Sequence, residues 1–173
     1  MEQFDVYDDE RIKLNKVLDR GTPLTGHENR LTIHICLFNE KNEMLIQLRQ
    51  STKKHWPSLW DVSVGGNSQA GENSRQTAQR ELEEELGIVY DFSNTRPHIT
   101  INFKNGFDDF YLLKIEDKDT SEFVIQENEV QEVKWVSKQE LSNLIDEGKF
   151  IPYIKSFLLS LFDMNQQYGV IID

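Results

Sequence analysis

Cysteine is almost absent: the 173 residues hold one, Cys36. An intramolecular disulfide is therefore impossible, and the fold must be held by its core. Cys36 lies in the apolar run Ile33-His34-Ile35-Cys36-Leu37-Phe38, where a small buried core residue is expected. No apolar run approaches the roughly 18 residues that a membrane span requires, which excludes a membrane-spanning helix. Basic residues are scarce, 19 Lys and Arg against 30 Asp and Glu, for a formal net charge of −11. Long nucleic acids demand basic surface and are excluded as partners. A small phosphorylated molecule is not, because it needs only a local patch and a cation can supply the charge it meets. The opening MEQFDVYDDE has neither the basic start nor the apolar stretch of a signal peptide, so a cytoplasmic protein is expected. No repeat, low-complexity segment or Pro/Gly-rich linker divides the chain, and one domain over 1–173 is expected.

What is present reads as interleaved strands and helices. Phe4 to Tyr7 and Lys13 to Leu18, joined by the polar Asp8-Asp9-Glu10-Arg11, predict an N-terminal hairpin over about 1–20. Leu31 to Asn39 and Glu43 to Arg49 predict a second hairpin across Asn39-Glu40-Lys41-Asn42. A short strand, Trp60 to Val64, then leads to a Gly65-Gly66 turn whose glycines allow close backbone approach to a ligand. A helix is expected from about Ser74 to Leu86, capped by Asn73 or Ser74 and stopped by Gly87. Thr100 to Lys104 and Phe110 to Ile115 flank the hairpin signal Asn105-Gly106, with Phe107 to Asp109 lengthening the connection. Val130 to Val136 is a last strand. Helices follow over about 138–165: one opened by the capping box Ser137 to Glu140 and stopped by Gly148, one starting at Ile151 with Pro152 in its first turn. In the latter, Ile154, Phe157, Leu158 and Leu161 make a core-facing stripe. Trp60 and Trp135 are assigned to the core. The pattern implies an α/β sandwich around a mixed sheet.

The chemistry is expected between Gly66 and Ile88. On a helix, residues three and four apart share a face, so Glu81, Glu84 and Glu85 project together while Ala78, Leu82 and Leu86 face away. Neighbouring carboxylates repel unless a cation holds them, and hard cations such as Mg²⁺ or Mn²⁺ prefer oxygen ligands. A solvated acidic face is the ordinary alternative. It does not explain Gly65-Gly66 ahead of the helix, Glu72 six positions after Gly66, or Arg80 beside the first carboxylate.

Gly66, five residues, Glu72, seven residues, Arg80-Glu81-Leu82, one residue, Glu84-Glu85, one residue, Gly87-Ile88 resembles the Nudix box over 66–88, with every defining position filled. Flanking segments resemble the branch related to isopentenyl-diphosphate isomerase: Asp5-Val6-Tyr7-Asp8, Leu45 to Arg49, and Trp56-Pro57-Ser58-Leu59-Trp60-Asp61-Val62-Ser63-Val64. The resemblance implies an α/β/α sandwich and hydrolysis of a nucleoside diphosphate linked to another moiety, by water attack at phosphorus with Mg²⁺ or Mn²⁺. By position it makes Glu81, Glu84 and Glu85 metal ligands, joined by the Gly65 carbonyl, and makes Glu72 and Arg80, beside Gly66, the brace of loop against helix. It also brings the homodimer common among such proteins.

Other residues are read more singly. A glutamate of the cluster, or Glu129 in the acidic turn Glu127-Asn128-Glu129, is expected as base. Arg49 is the favoured phosphate contact; Lys53 and Lys54 share that role with plain solubility. Trp56 is placed to stack on a substrate or to pack under its own loop. The isomerase relatives hold a divalent ion with histidines, but alignment on Leu37-Phe38-Asn39 puts Arg30 at one such position. His34 is expected to be a satisfied strand residue, with His27 likewise unassigned. An isomerase needs a cysteine near the start of the box region, where this chain reads Ser63-Val64-Gly65-Gly66. A non-catalytic nucleotide sensor would commonly have lost box glutamates, and all are present. Hydrolysis of a small phosphorylated metabolite is therefore the expected function.

Overall fold

The first strands form where alternation and turn chemistry place them. β1 (Gln3–Tyr7) and β2 (Lys13–Asp19) pair antiparallel in a computed structural model that describes residues 2–171, so Met1, Ile172 and Asp173 lie outside the description. A two-stranded hairpin alone is marginal in water. This one is tied down: Tyr7 and Asn29 exchange backbone hydrogen bonds at 2.8 and 2.9 Å. Arg11, in the turn at φ 65°, donates through both terminal nitrogens to Asp109 at 3.0 and 2.8 Å.

β3 (Arg30–Phe38) and β4 (Met44–Arg49) were expected to form a full hairpin, yet they pair only at Phe38 and Met44. Both are buried on both faces, as strands inside a sheet are. Each therefore takes other partners on both sides. β3 pairs parallel with β8 (Gly106–Lys114) and antiparallel with β6 (Val64–Asn67); β4 pairs with β9 (Val130–Val136) and β5 (Trp60–Asp61). The two arms splay apart from their single shared pair.

The expected strand from Trp60 to Val64 is consequently two strands, one on each arm. Its break is chemically filled: the Ser63 hydroxyl accepts from the Leu37 amide at 2.8 Å and donates to the Leu45 carbonyl at 2.5 Å, joining β3 to β4 where their own ladder stops. Gly65 and Gly66 thus lie within β6 and not in a turn. β7 (Ile99–Phe103) meets β8 across Lys104-Asn105 alone, and the Phe103 ring folds over Gly106 into the place a Cβ would occupy. Phe107 to Asp109 are strand, not loop.

α1 (Ser74–Leu86) begins at Asn73, which forms a capping box with Gln76, and ends at Gly87 in the left-handed region. It sets Ala78, Leu82 and Leu86 on Ile33, Ile35, Leu37, Val64 and Tyr111 of the sheet. α2 (Lys138–Asp146), capped by Ser137 with Glu140, and α3 (Lys155–Met164) cover the other face, Leu141, Leu158, Leu161 and Phe162 against Cys36, Phe38, Met44, Ile46 and Leu112. Each such buried Leu or Ile contributes about 1.5–3 kcal/mol, so two apolar clusters hold three layers together. Trp60 is buried, and Trp135 packs partly buried with its indole N–H on the Lys118 carbonyl.

α3 does not start at Ile151. The chain before it pairs with β5 instead, Trp60 N–H to the Lys149 carbonyl and Ile151 N–H to the Trp60 carbonyl, both at 2.9 Å. That pairing keeps Pro152 outside the helix and leaves Ile154, expected in the core stripe, 75% exposed; Phe162 joins Leu158 and Leu161 in the core. The architecture is the expected α/β/α sandwich with a mixed sheet and an N-terminal hairpin. Among the described residues no helix is long and apolar enough to cross a membrane.

Candidate active site

Where the arms of β3 and β4 splay, a cleft of about 880 Å³ opens. Its walls carry Glu81, Glu84 and Glu85 from α1, Gly65 and Gly66 from β6, Gln47 and Arg49 from β4, and Lys53 and Glu129 from neighbouring loops.

Glu85 is 6% exposed and accepts one hydrogen bond, 2.8 Å from the Gln47 amide. Burial pushes its carboxyl well above the ordinary range, and the Glu81 charge adds to that. Glu81 lies directly on Gly66: a Cβ there would stand 2.1 Å from the Glu81 carboxyl carbon. Burial pushes Glu81 up to about 7, against the opposing pull of Arg80. Glu84 is half exposed and meets Arg80 Nη1 at 3.1 Å.

Arg80 organises the rest. Its Nε and Nη2 donate to the two oxygens of Glu72 at 2.7 and 3.0 Å, its Nη2 also reaches the Asn67 carbonyl at 3.1 Å, and its Nη1 stands 2.8 Å from Glu81. This planar fork joins loop, strand and helix in a way a lysine cannot. Burial alone raises the Glu72 carboxyl, but Arg80, the Gln69 amide and the Thr77 hydroxyl outweigh it and hold the group below its usual value. The hairpin grips the same loop: Gly71 N–H donates to Asp5 at 2.8 Å and Lys13 to the Glu72 carbonyl at 3.0 Å.

Arg49 pairs with Asp61 at 3.5 Å and donates to the His55 carbonyl at 3.2 Å, while its Nε is buried without a partner among the described residues. Lys53 forms an ion pair with Glu129 across the cleft mouth. Trp56, at φ 53° and 50% exposed, is not brought to the cleft wall. His27 is exposed on Asp9, also away from the cleft. His34 lies in the floor with both ring nitrogens engaged, Nδ1 by Asp108 at 2.7 Å and Nε2 by Tyr153 at 3.1 Å. Burial opposes its positive charge, but Asp108 and Asp61 outweigh that and raise its pKa. Cys36 is fully buried, its thiol pushed up by burial and then by the charges of Asp61 and Asp108. Among the described residues no three acidic, imidazole or thiol groups are gathered closely enough to hold a metal as they stand, since Glu81 and Glu84 both turn to Arg80.

Sequence reasoning passed over Gln47, Asp61, Asp108 and Tyr153. The signal was available for two of them: Gln47 interrupts the apolar run Met44 to Leu48 of β4, and Asp108 begins an acidic pair inside the aromatic run of β8.

The NUDIX domain family model matches residues 28–155. The chain belongs to the Nudix family. An uncharacterized Nudix hydrolase of Listeria innocua is 42% identical over 164 residues, 95% of each chain. An isopentenyl-diphosphate Delta-isomerase of Salmonella heidelberg is 31% identical over 97 residues, 53% of this chain and 52% of that protein. In fold, the crystal structure of DR0079 from Deinococcus radiodurans superposes with a TM-score of 0.75 at 23% identity, covering 91% of this chain and 97% of that one. This Nudix protein is a hydrolase, of a family that acts on nucleoside diphosphate derivatives and generally uses divalent cations. Its β1–β2 hairpin falls outside the matched residues.

Proposed function

We propose that this Nudix hydrolase cleaves the diphosphate linkage of a small phosphorylated metabolite, a nucleoside di- or triphosphate or a derivative, by attack of water at phosphorus. Glu85 carries the reading. A carboxylate this buried, beside a second one and with only an amide for company, is costly unless a cation completes the site. The donors fit a hard divalent cation, Mg²⁺ or Mn²⁺: carboxylate oxygens of Glu81, Glu84 and Glu85 with the Gly65 carbonyl. Glu81 and Glu84 would join by turning from Arg80, which keeps its two bonds to Glu72.

When bound, the cation supplies positive charge against the diphosphate oxygens and acidifies the attacking water. The chain does the rest. Gly66 leaves Glu81 the room to lie against β6. Arg49 lines the cleft with its Nε unpartnered among the described residues, so its guanidinium has a donor to spare for a phosphate oxygen when it turns to one. Glu129, held by Lys53 across the cleft, is the base outside the helix.

The test is turnover of nucleoside di- and triphosphates, nucleotide sugars, dinucleoside polyphosphates and isopentenyl diphosphate with Mg²⁺ or Mn²⁺. Glu85→Gln should lower the rate on any active compound by about 10²-fold or more with the fold intact. Wild-type turnover in that variant, or double-bond migration in isopentenyl diphosphate without phosphate release, would count against the proposal.

A further inference from the structure

Along the floor of the cleft, five side chains outside the glutamate set form one polar chain, and His34, Arg49, Asp61 and Asp108 of it line the cleft. Asp108 stands 2.7 Å from His34 Nδ1, and His34 Nε2 stands 3.1 Å from the Tyr153 hydroxyl. Tyr153 donates to Asp61 Oδ1 at 2.9 Å, and Asp61 Oδ2 faces Arg49 at 3.5 Å. β6 separates His34 from Glu81. Its pleat turns Gly66 toward Glu81 and Gly65 toward His34, whose ring would be 2.9 Å from a Cβ on Gly65.

Counting donors gives the chain a direction. A tyrosine hydroxyl has one proton. It goes to Asp61, so the Tyr153 oxygen accepts from His34 Nε2–H while Nδ1–H faces Asp108. His34 is then satisfied at both nitrogens, with no lone pair left for a metal or a substrate. Asp61 Oδ1 is likewise filled, by Tyr153 and by the Val62 amide at 2.8 Å, which leaves Oδ2 for the guanidinium. Fully satisfied buried networks are rigid. The open end of this one is Arg49, whose guanidinium is otherwise anchored, among the described residues, only at the His55 carbonyl.

We propose that Tyr153 is a positioning residue for substrate binding: its hydroxyl fixes Asp61, and Asp61 aims the Arg49 guanidinium at the phosphate of the substrate. The proposal rests on Arg49 being the phosphate contact. The hydroxyl arrives from the stretch held against β5 before α3, so the pairing that delays the helix also delivers Tyr153. A helix begun at Ile151 would not hold the residue in that extended path.

Binding of methylenediphosphonate, a non-hydrolysable diphosphate without a base, is measured calorimetrically with Mg²⁺ on the whole chain and on Tyr153→Phe, Asp61→Asn, Arg49→Gln and the Tyr153→Phe/Arg49→Gln double variant. Tyr153→Phe should weaken binding about fivefold, the worth of one hydrogen bond, and the double variant should bind no more weakly than Arg49→Gln alone. Asp61→Asn should behave as Tyr153→Phe does and serves if that variant folds poorly. General structural damage would weaken binding whether or not Arg49 is present. Full additivity, or unaltered binding by Tyr153→Phe beside weakened binding by Arg49→Gln, overturns the positioning role alone. Unaltered binding by Arg49→Gln removes the phosphate contact and this proposal with it.

Discussion

Glu81→Gln should stabilise the metal-free protein at alkaline pH while removing its response to Mg²⁺. Burial raises the Glu81 carboxyl from 4.5 to about 7 in the fold. The unfolded chain titrates near the lower value, so from there upward the unfolded state sheds its proton first. Stability is complete below the unfolded pKa, falls as pH rises, and is lost in full once pH has passed through the folded value. At about 1.4 kcal/mol per unit the whole loss is about 3 kcal/mol, and about 2 kcal/mol of it falls between pH 5.5 and 8. The side chain is 14% exposed, so solvent screens little of this. Because Glu81 and Glu85 interact, the titration belongs to the pair. Glutamine keeps the shape and drops the charge. Thermal unfolding by circular dichroism in chelator should therefore show a flatter pH profile for the variant, with a midpoint about 6–12 °C above wild type at pH 8. With Mg²⁺ replacing the chelator, the wild-type midpoint should rise, and rise more at pH 8 than at 5.5, because ligands must be deprotonated. Parallel pH profiles in the two proteins, or equal Mg²⁺ shifts, would refute the reasoning.

Two further outcomes follow from the geometry. Gly66→Ala places a methyl group 2.1 Å from the Glu81 carboxyl carbon and must push that carboxylate aside; kcat/KM should fall about 10²-fold, and a wild-type value would show that Glu81 need not lie against β6. Arg11→Ala strips its cation from Asp109, which is 1% exposed and keeps only Thr100. Stability should drop about 3 kcal/mol in urea unfolding with turnover per folded molecule unchanged, and an unaltered midpoint would show the hairpin to be held by other contacts.

How much was legible before the fold depended on distance along the chain. The bounds of α1 were legible, with its cap narrowed to Asn73 or Ser74, because capping residues and Gly87 act within one turn of the positions they control. The α2 cap and the β7–β8 turn signal were equally local. The β3–β4 hairpin was misread for the opposite reason: two apolar strands separated by a good turn look like partners, and only the competition from β5, β6, β8 and β9 shows that they part after one pair. The start of α3 failed in the same way, since Pro152 suits a first turn but Trp60, some ninety residues earlier, claims the backbone. Tyr153 could not be found at all from its neighbours, because the groups its hydroxyl meets, His34 and Asp61, lie some ninety residues or more away along the chain.

By itself the sequence determined the family, the carboxylate set and the brace of Glu72 with Arg80, since all of these lie in one loop and one helix whose period orders them. Tertiary structure alone decided the cleft. It opens because β3 and β4 each find better partners than one another, and Ser63 fills the break. That splay brings Gln47, Arg49 and Glu129 opposite the helix, and sets the two glycines of β6 between Glu81 on one side and His34 on the other. A strand pairing depends on every other strand seeking the same hydrogen bonds, and no local stretch of chain carries that information.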